Sequence, residues 1–359
     1  MPISQVPFAG ISNPVNFRNI VINGAMSIAQ RATSVASITA SGYYTLDRFL
    51  LAVDTLGTWT QSQSTDTPTG QGFATSLKLD CTTADASPAA GDVMILAQKF
   101  EGQNLQYLKK GTANAVSLTA SFWVKSTKTG TFIVELFDND NARQVSKSYT
   151  VNTTNTWEFK TVTFPADTTG VLDNDNGLSF ALHFWLGAGS TFTSGTLNTS
   201  WASQTDANRA VGQVNIADSD SNDWLITGVQ LEAGEQASGF EFLPIDVSLG
   251  RCRRYFISYG GSYVYQRFGS GFAYNTTDLI FLIEHGIKLR ASPTLTYSNI
   301  SDLATWDGSV VGITSLAFDG FGESVSSVAV AATGRTTNRP YQLLANNSSN
   351  ARINFSSEL

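Results

Sequence analysis

Histidine and cysteine are almost missing from this sequence, two of each in 359 residues, and each shortage excludes chemistry. His183 and His285 both lie inside apolar alternating runs, where an imidazole satisfied within the fold is the ordinary outcome. A serine triad would have to use one of them. There is no G-x-S-x-G elbow, no G-x-x-x-x-G-K-S/T phosphate loop and no H-E-x-x-H pair, which removes the recognisable hydrolase, nucleotide and zinc-peptidase motifs. Cys81 and Cys252 are far apart, with no second thiol or histidine at a metal-like spacing. They read as small buried hydrophobes rather than a zinc site or a disulfide. Charge is scarce as well: 14% of residues against about 25% in an ordinary soluble protein. The balance is −7 with a pI near 4.9, which repels phosphate backbones, and the only compact basic cluster is Arg251, Arg253 and Arg254. Nucleic acid is therefore not an expected partner. No run approaches the roughly 18 apolar residues of a membrane helix, and Met1 to Gly10 lacks the basic start and apolar centre of a secretion signal. The expectation is a soluble chain made in a cytoplasm, with no membrane insertion. Among 29 acidic residues no pair is marked out for glycoside cleavage. No enzyme is expected; a polysaccharide depolymerase is the form one would take.

What fills the sequence instead is hydroxyl and aromatic: 79 Ser and Thr, 11% aromatic and 42% hydrophobic residues, with 30 Gly. That is too apolar for a disordered chain. Alternation at a period of two dominates, and the best helical stretch is short, around Leu105 to Lys110. In Val116 to Lys125, the side chains of Val116, Leu118, Ala120, Phe122 and Val124 share one face. Thr131 to Phe137 follows, with Phe132, Val134 and Leu136 on one face and Asp138 to Asn141 as the closing turn. Further strands are expected at 157–164, 178–186 and 224–231. Short strands with polar turns indicate an all-β fold, an antiparallel jelly-roll sandwich. After Pro244 a second β-patterned region begins, with strands expected at 255–268, 279–289 and 325–332. The expected organisation is a lead segment over 1–40, a jelly roll over 41–250 and a smaller C-terminal β-sandwich domain over 251–359.

Four ordered segments carry a family resemblance. They are Asn19-Ile-Val-Ile-Asn-Gly-Ala-Met-Ser-Ile-Ala-Gln-Arg31, Tyr44-Thr-Leu-Asp-Arg-Phe49, Ala120-Ser-Phe-Trp-Val-Lys-Ser126 with Gly130-Thr131, and Thr227 to Phe242 running on to Cys252-Arg-Arg-Tyr-Phe256. Together they resemble the tail-fibre and related virion proteins of tailed bacteriophages that hold a carbohydrate-binding-module-like jelly roll. Phe49 stands where tryptophan is usual and Leu243 where arginine is common. The resemblance implies a structural virion protein, a trimeric tail fibre used in host attachment. Its partners would be two more copies of the chain, other phage tail or capsid proteins, and a host surface glycan or receptor. A carbohydrate-binding module outside any virion is the alternative. On this reading Ile20, Ile22 and Met26 of the lead segment should lie against a neighbouring chain or virion partner, and Arg48, beside Asp47, is expected to pair with Glu232 or Glu241.

If Phe122 and Val124 face the core, the period of two turns Trp123 outward, and the same arithmetic turns Glu135, His183 and Trp185 outward. Flat aromatics beside polar acceptors suit a sugar, whose ring offers an apolar face and a rim of hydroxyls. The competing reading is that this second face is itself covered. Tyr259, Tyr263 and Tyr265 share one parity and are expected on one face, as a subunit interface or a receptor platform. No cofactor is expected. The one metal the sequence raises is a structural Ca²⁺ at the acidic turns holding Asp138, Asp140, Asp173 and Asp175, against the commoner use of such residues in capping their own turns.

Overall fold

The computed structural model describes residues 17–359; residues 1–16, the start of the expected lead segment, lie outside the described residues. Eleven strands build the first domain. They are β1 (Ser34–Gly42), β2 (Leu50–Ser64), β3 (Ser76–Thr83), β4 (Val93–Glu101), β5 (Leu118–Ser126), β6 (Gly130–Asp138), β7 (Arg143–Val151), β8 (Glu158–Phe164), β9 (Leu178–Ala188), β10 (Ala202–Ser203) and β11 (Asp223–Ala233). Their order is β10-β7-β6-β9-β4-β2-β3-β11-β5-β8, with β1 added to β2. The fifteen-residue β2 explains how one ladder becomes two layers. Its first part, Leu50 to Asp54, pairs antiparallel with β4, and its second, Thr58 to Ser64, pairs antiparallel with β3. The strand therefore crosses from one sheet to the other, and the two sheets close on a common core in an antiparallel jelly roll. Phe122 sits at its centre, fully buried, with Phe184 and Tyr149 both edge-on at 5.0 Å.

A second, smaller β domain follows, made of β12 (Phe256–Gly260), β13 (Arg267–Ala273), β14 (Asp278–Glu284), β15 (Thr294–Tyr297), β16 (Leu303–Trp306), β17 (Val310–Gly312), β18 (Ser315–Phe321), β19 (Val325–Ala331), β20 (Pro340–Ala345) and β21 (Arg352–Ser356). A seven-stranded sheet, β17-β16-β20-β13-β14-β19-β18, faces a three-stranded one, β12-β21-β15. Phe281, Leu343, Ile353 and Phe355 fill the space between. The expected helical stretch near Leu105 is two 3-10 turns, Gly102–Asn104 and Gln106–Leu108. Beyond the four-residue α1 (Ser190–Thr193), the longer helix is α2 (Ile245–Arg253), which joins the domains. Its signals are local: Pro244 ahead of it, Asp246 in its first turn, and Arg251 and Arg253 in its last, where they complement the helix dipole.

The first strand among the described residues, β1, runs across the expected boundary at residue 40, and residues 17–33 ahead of it pack into the jelly roll. Asn19 acts as a clamp: its Nδ2 donates to the Val229 carbonyl at 3.0 Å, and its Oδ1 accepts from Val21 and Leu231 amides at 3.0 and 3.1 Å. Asn23 closes the next turn, accepting from the Ser27 and Ile28 amides. Ile20 and Met26 thereby enter the jelly-roll core, and Ile22 packs with Cys252 and Tyr255 of the same chain. The expectation that these three meet a neighbouring chain is corrected by that clamp. The expected partner of Arg48 is also corrected. Arg48 pairs with Glu358, near the end of the chain, while Glu232 and Glu241 hold Arg18 and Asn19. Asp47 instead takes the Gln30 amide at 3.0 Å, and burial pushes its carboxyl up to about 6 against that hydrogen bond.

Candidate functional site

Glu135 on β6 and His183 on β9 are register partners, so the ladder alone sets them side by side. The Glu135 carboxylate bonds His183 Nδ1 at 2.9 Å and the Trp185 indole N–H at 3.2 Å, and a forked Arg209 closes it with two contacts of 2.9 Å. Burial works to raise the Glu135 pKa, but the His183 hydrogen bond and the Arg209 charge outweigh it and hold the group below the usual carboxylate value. Phe192, Leu197 and Ala210, from the long connection between β9 and β11, pack over Trp185. Glu135 and Trp185 are fully buried. Three of the four residues expected to form a sugar platform are thus brought together, beneath a cover supplied by the same chain. The fourth is separated from them, because period-two alternation fixes the face of a strand but not the sheet it joins. Trp123 lies on β5, in the opposite sheet.

Trp123 borders an open cleft of about 440 Å³, whose lining includes Phe73, Phe159, Phe240 and Phe242 with Gln71, Ser121 and Ser238 as polar members. The register places Phe159 of β8 directly beside Trp123, their ring centroids 5.3 Å apart. Phe159 is 49% exposed and Phe242 54%. The opposite wall is built by the segment after β11. Gln230 Oε1 accepts the Glu241 amide at 2.8 Å, and Glu232 accepts the Ser238 amide at 2.8 Å, which folds residues 238–242 back over the sheet. Phe240 and Phe242 then meet Phe73 at 5.0 and 5.1 Å. Room for the Phe73 ring comes from a bulge between Thr227 and Gln230. Gly228 there has φ +63°, and a Cβ would stand 2.6 Å from that ring, so glycine is required twice over. None of the ten lining residues is charged; Asp66 and Lys125 pair at one end, where Asp66 also takes the Trp157 indole N–H at 2.9 Å. Sequence reading missed Phe73, Phe240 and Phe242. The Phe-x-Phe spacing after β11 was the available signal.

The three tyrosines do not share a strand face. Tyr259 lies in β12, its hydroxyl donating to the Glu284 carbonyl at 2.7 Å, whereas Tyr263 and Tyr265 lie in the following loop, where a period of two has no meaning. Both loop residues are exposed. The acidic turns are also occupied by their own chain. Asp138 is paired with the Lys110 ammonium and capped by Asn141; Asp140 accepts the Asp173 amide at 2.8 Å and Asp175 that of Gly177 at 2.8 Å. Among the described residues no three His, Cys, Asp or Glu side chains converge as a metal cage. The carboxylates of Asp138, Asp140 and Asp175 therefore serve as turn caps and an ion pair, and Asp173 enters the turn through its backbone. Both cysteines are free and buried. No helix among the described residues is long and apolar enough to cross a membrane.

No protein-family model matches the chain, and no curated protein does. Solved structures do. One is the enzymatically active domain of bacteriophage CBA120 tailspike protein 4, 15% identical with a TM-score of 0.30, the match covering 60% of this chain and 22% of that one. A CBM4 structure is 13% identical with a TM-score of 0.28, covering 59% of this chain and 97% of its own. TmCBM61 in complex with β-1,4-galactotriose is 9% identical with a TM-score of 0.29, over 60% and 99%. The fold class stands on the strand pairing itself: an all-β chain, a jelly roll followed by a smaller β-sandwich.

Proposed function

We propose that this chain is a non-catalytic glycan-binding protein whose jelly roll takes a carbohydrate in the cleft over Trp123. The observation that carries the reading is the cleft: open, about 440 Å³ in volume, walled by aromatic rings and lined by neutral hydrogen-bonding groups. An uncharged sugar ring needs that combination. The charged cluster at Glu135 is the poorer candidate, since its carboxylate is already saturated and covered. A non-catalytic role agrees with the two histidines. His183 serves Glu135, and His285 is held by Tyr259 and the fully buried Ser326, out of reach of a substrate. On a glycan array the purified protein is expected to bind a defined set of neutral glycans. Trp123→Ala and Phe159→Ala should each weaken that binding about tenfold, on the scale of about 1–1.5 kcal/mol for a lost aromatic contact, with the fold unchanged by circular dichroism. Binding that survives both substitutions, or no binding by the parent protein, would overturn the reading.

A setting on the virion of a tailed bacteriophage, as a trimeric attachment fibre, is a second reading favoured by a separate observation. Three of the four segments that carry the family resemblance converge in space. Asn19 bonds the Val229 to Leu231 stretch, Gln30 Nε2 bonds the Phe256 carbonyl at 2.8 Å, and Arg48 stacks on Tyr255 at 3.5 Å. Those three motifs meet at one structural junction rather than standing as scattered likenesses. Native mass measurement should give three copies of 38.5 kDa, and antibody to the chain should decorate phage particles. A monomer that labels no particle removes this reading and leaves the glycan one standing.

A further inference from the structure

A second cavity, of about 430 Å³, lies at the junction of the N-terminal segment, the turns after β4 and helix α2. Two charged side chains that reach it cancel: the Arg254 guanidinium forks onto Glu101 at 2.6 and 2.8 Å, and Tyr255 and Gln103 complete that carboxylate. Arg251 is left over. It donates one long hydrogen bond, 3.3 Å, to the Asn19 carbonyl, and among the described residues no carboxylate lies within ion-pair distance of it. Residues 1–16 contain no Asp or Glu, so they hold no acidic side chain to offer. Burial pulls the Arg251 pKa down, the expected result for a cation drawn out of water without a counter-charge. Around it stand the rings of Phe17 and Tyr107, the Tyr107 hydroxyl and the Asn104 amide. That hydroxyl is pushed up to about 12 by burial, with the Arg251 charge acting in the opposite direction.

A cation without a counter-charge among the described residues calls for a monoanion, and two aromatic rings beside an amide and a hydroxyl that no described residue engages suit a ring with an apolar face and hydroxyl rim. We propose that this cavity is a binding site for a hexuronic acid residue, its carboxylate on Arg251, its C–H face against Phe17 and Tyr107, and its hydroxyls on Asn104 and the Tyr107 hydroxyl. The site is distinct from the Trp123 cleft and carries an acidic sugar where that cleft carries a neutral one. A phosphate dianion fits less well, because the second negative charge would face the Glu101 carboxylate with no cation to spare.

The test is calorimetric titration of the full chain with digalacturonate, with the neutral galactobiose and with inorganic phosphate. Digalacturonate is expected to bind at least tenfold more tightly than either of the others. Arg251→Gln should abolish that preference, while Asn104→Ala, at the exposed end of the 3-10 turn Gly102–Asn104, should weaken digalacturonate several-fold without touching the fold. Trp123→Ala should leave it intact, which separates this site from the cleft. Equal binding of the uronate and its neutral counterpart, tighter binding of phosphate, or a preference that survives Arg251→Gln would each overturn the proposal. Should the Arg251 variant fail to fold, an Asn104→Ala chain with undiminished digalacturonate affinity does so equally.

Discussion

Glu135→Ala is expected to destabilise the jelly roll by about 3–5 kcal/mol, the range for breaking a buried ion pair from one side. The substitution removes the only carboxylate among the described residues that Arg209 meets within the fold's interior, its other acidic neighbour being the half-exposed Asp206. It also strips the Trp185 indole N–H and His183 of their common acceptor. Glu135→Gln should be milder, since an amide oxygen still accepts from the arginine or the indole. The effect depends on pH with a definite sign. The folded pKa of Glu135 lies below its unfolded value, so its contribution is complete above the unfolded value, near 4.3. That contribution fades as pH falls through the folded value. Chemical denaturation of the parent and Glu135→Ala chains at pH 7 and pH 3 should show the gap narrowing in acid. A gap that stays constant or widens would show that the alanine acts through lost packing and not through the charge.

That cluster also shows what a sequence states and what it omits. Glu135, His183 and Trp185 could be placed together because each sits at an odd step from apolar neighbours, and parity is the one quantity a strand cannot change without exposing its core. Trp123 obeys the same parity and still lies on the far side of the molecule, because strand order depends on long-range pairing. Arg209 gave no signal at all: it sits in the irregular run between β9 and β11, where no period exists to say which way a side chain turns. The jelly roll itself was legible for the converse reason. The strand expected at 116–125 is observed as Leu118–Ser126 and that at 178–186 as Leu178–Ala188, since their apolar alternation is continuous and their ends are marked by Gly, Asn and Asp. Gln230 and Glu232 alternate with Val229 and Leu231 in the sequence, but nothing there marks them as the hooks that fold residues 238–242 into a wall of the cleft. Their partners are backbone amides, which carry no residue identity to read. Helix α2 was missed because nine residues give only about two and a half turns of period, too few to stand above the β pattern around them.

The largest single effect at the domain junction is expected from Arg48, a fully buried arginine with no route to water. Its guanidinium pairs with Glu358, donates to the Lys99 carbonyl at 2.6 Å and lies 3.5 Å from the centre of the Tyr255 ring. Burial alone would lower its pKa, yet the Glu358 charge overrides this and the pKa is raised, so the group stays charged in the fold. Arg48→Ala removes a charge, a stacking partner and a large buried volume together. About 3–5 kcal/mol is the expected loss, and its location is specific. Glu358 keeps Arg31 at 3.1 Å, so the tail is weakened rather than freed, whereas Lys99 and Tyr255 lose the group that ties β4 to the entry of β12. The jelly roll and the C-terminal sandwich should each keep their own cores, which share no buried residue. Limited proteolysis is therefore expected to cut the variant between residues 245 and 256, in α2 and the turn into β12 that join the domains, well before it cuts the parent chain. Arg48→Lys should not restore the junction, because an ammonium can neither stack on Tyr255 nor reach two acceptors in one plane. A lysine variant with parental stability and an uncut linker would show that the site needs only a positive charge, and that the planar stacking contributes nothing.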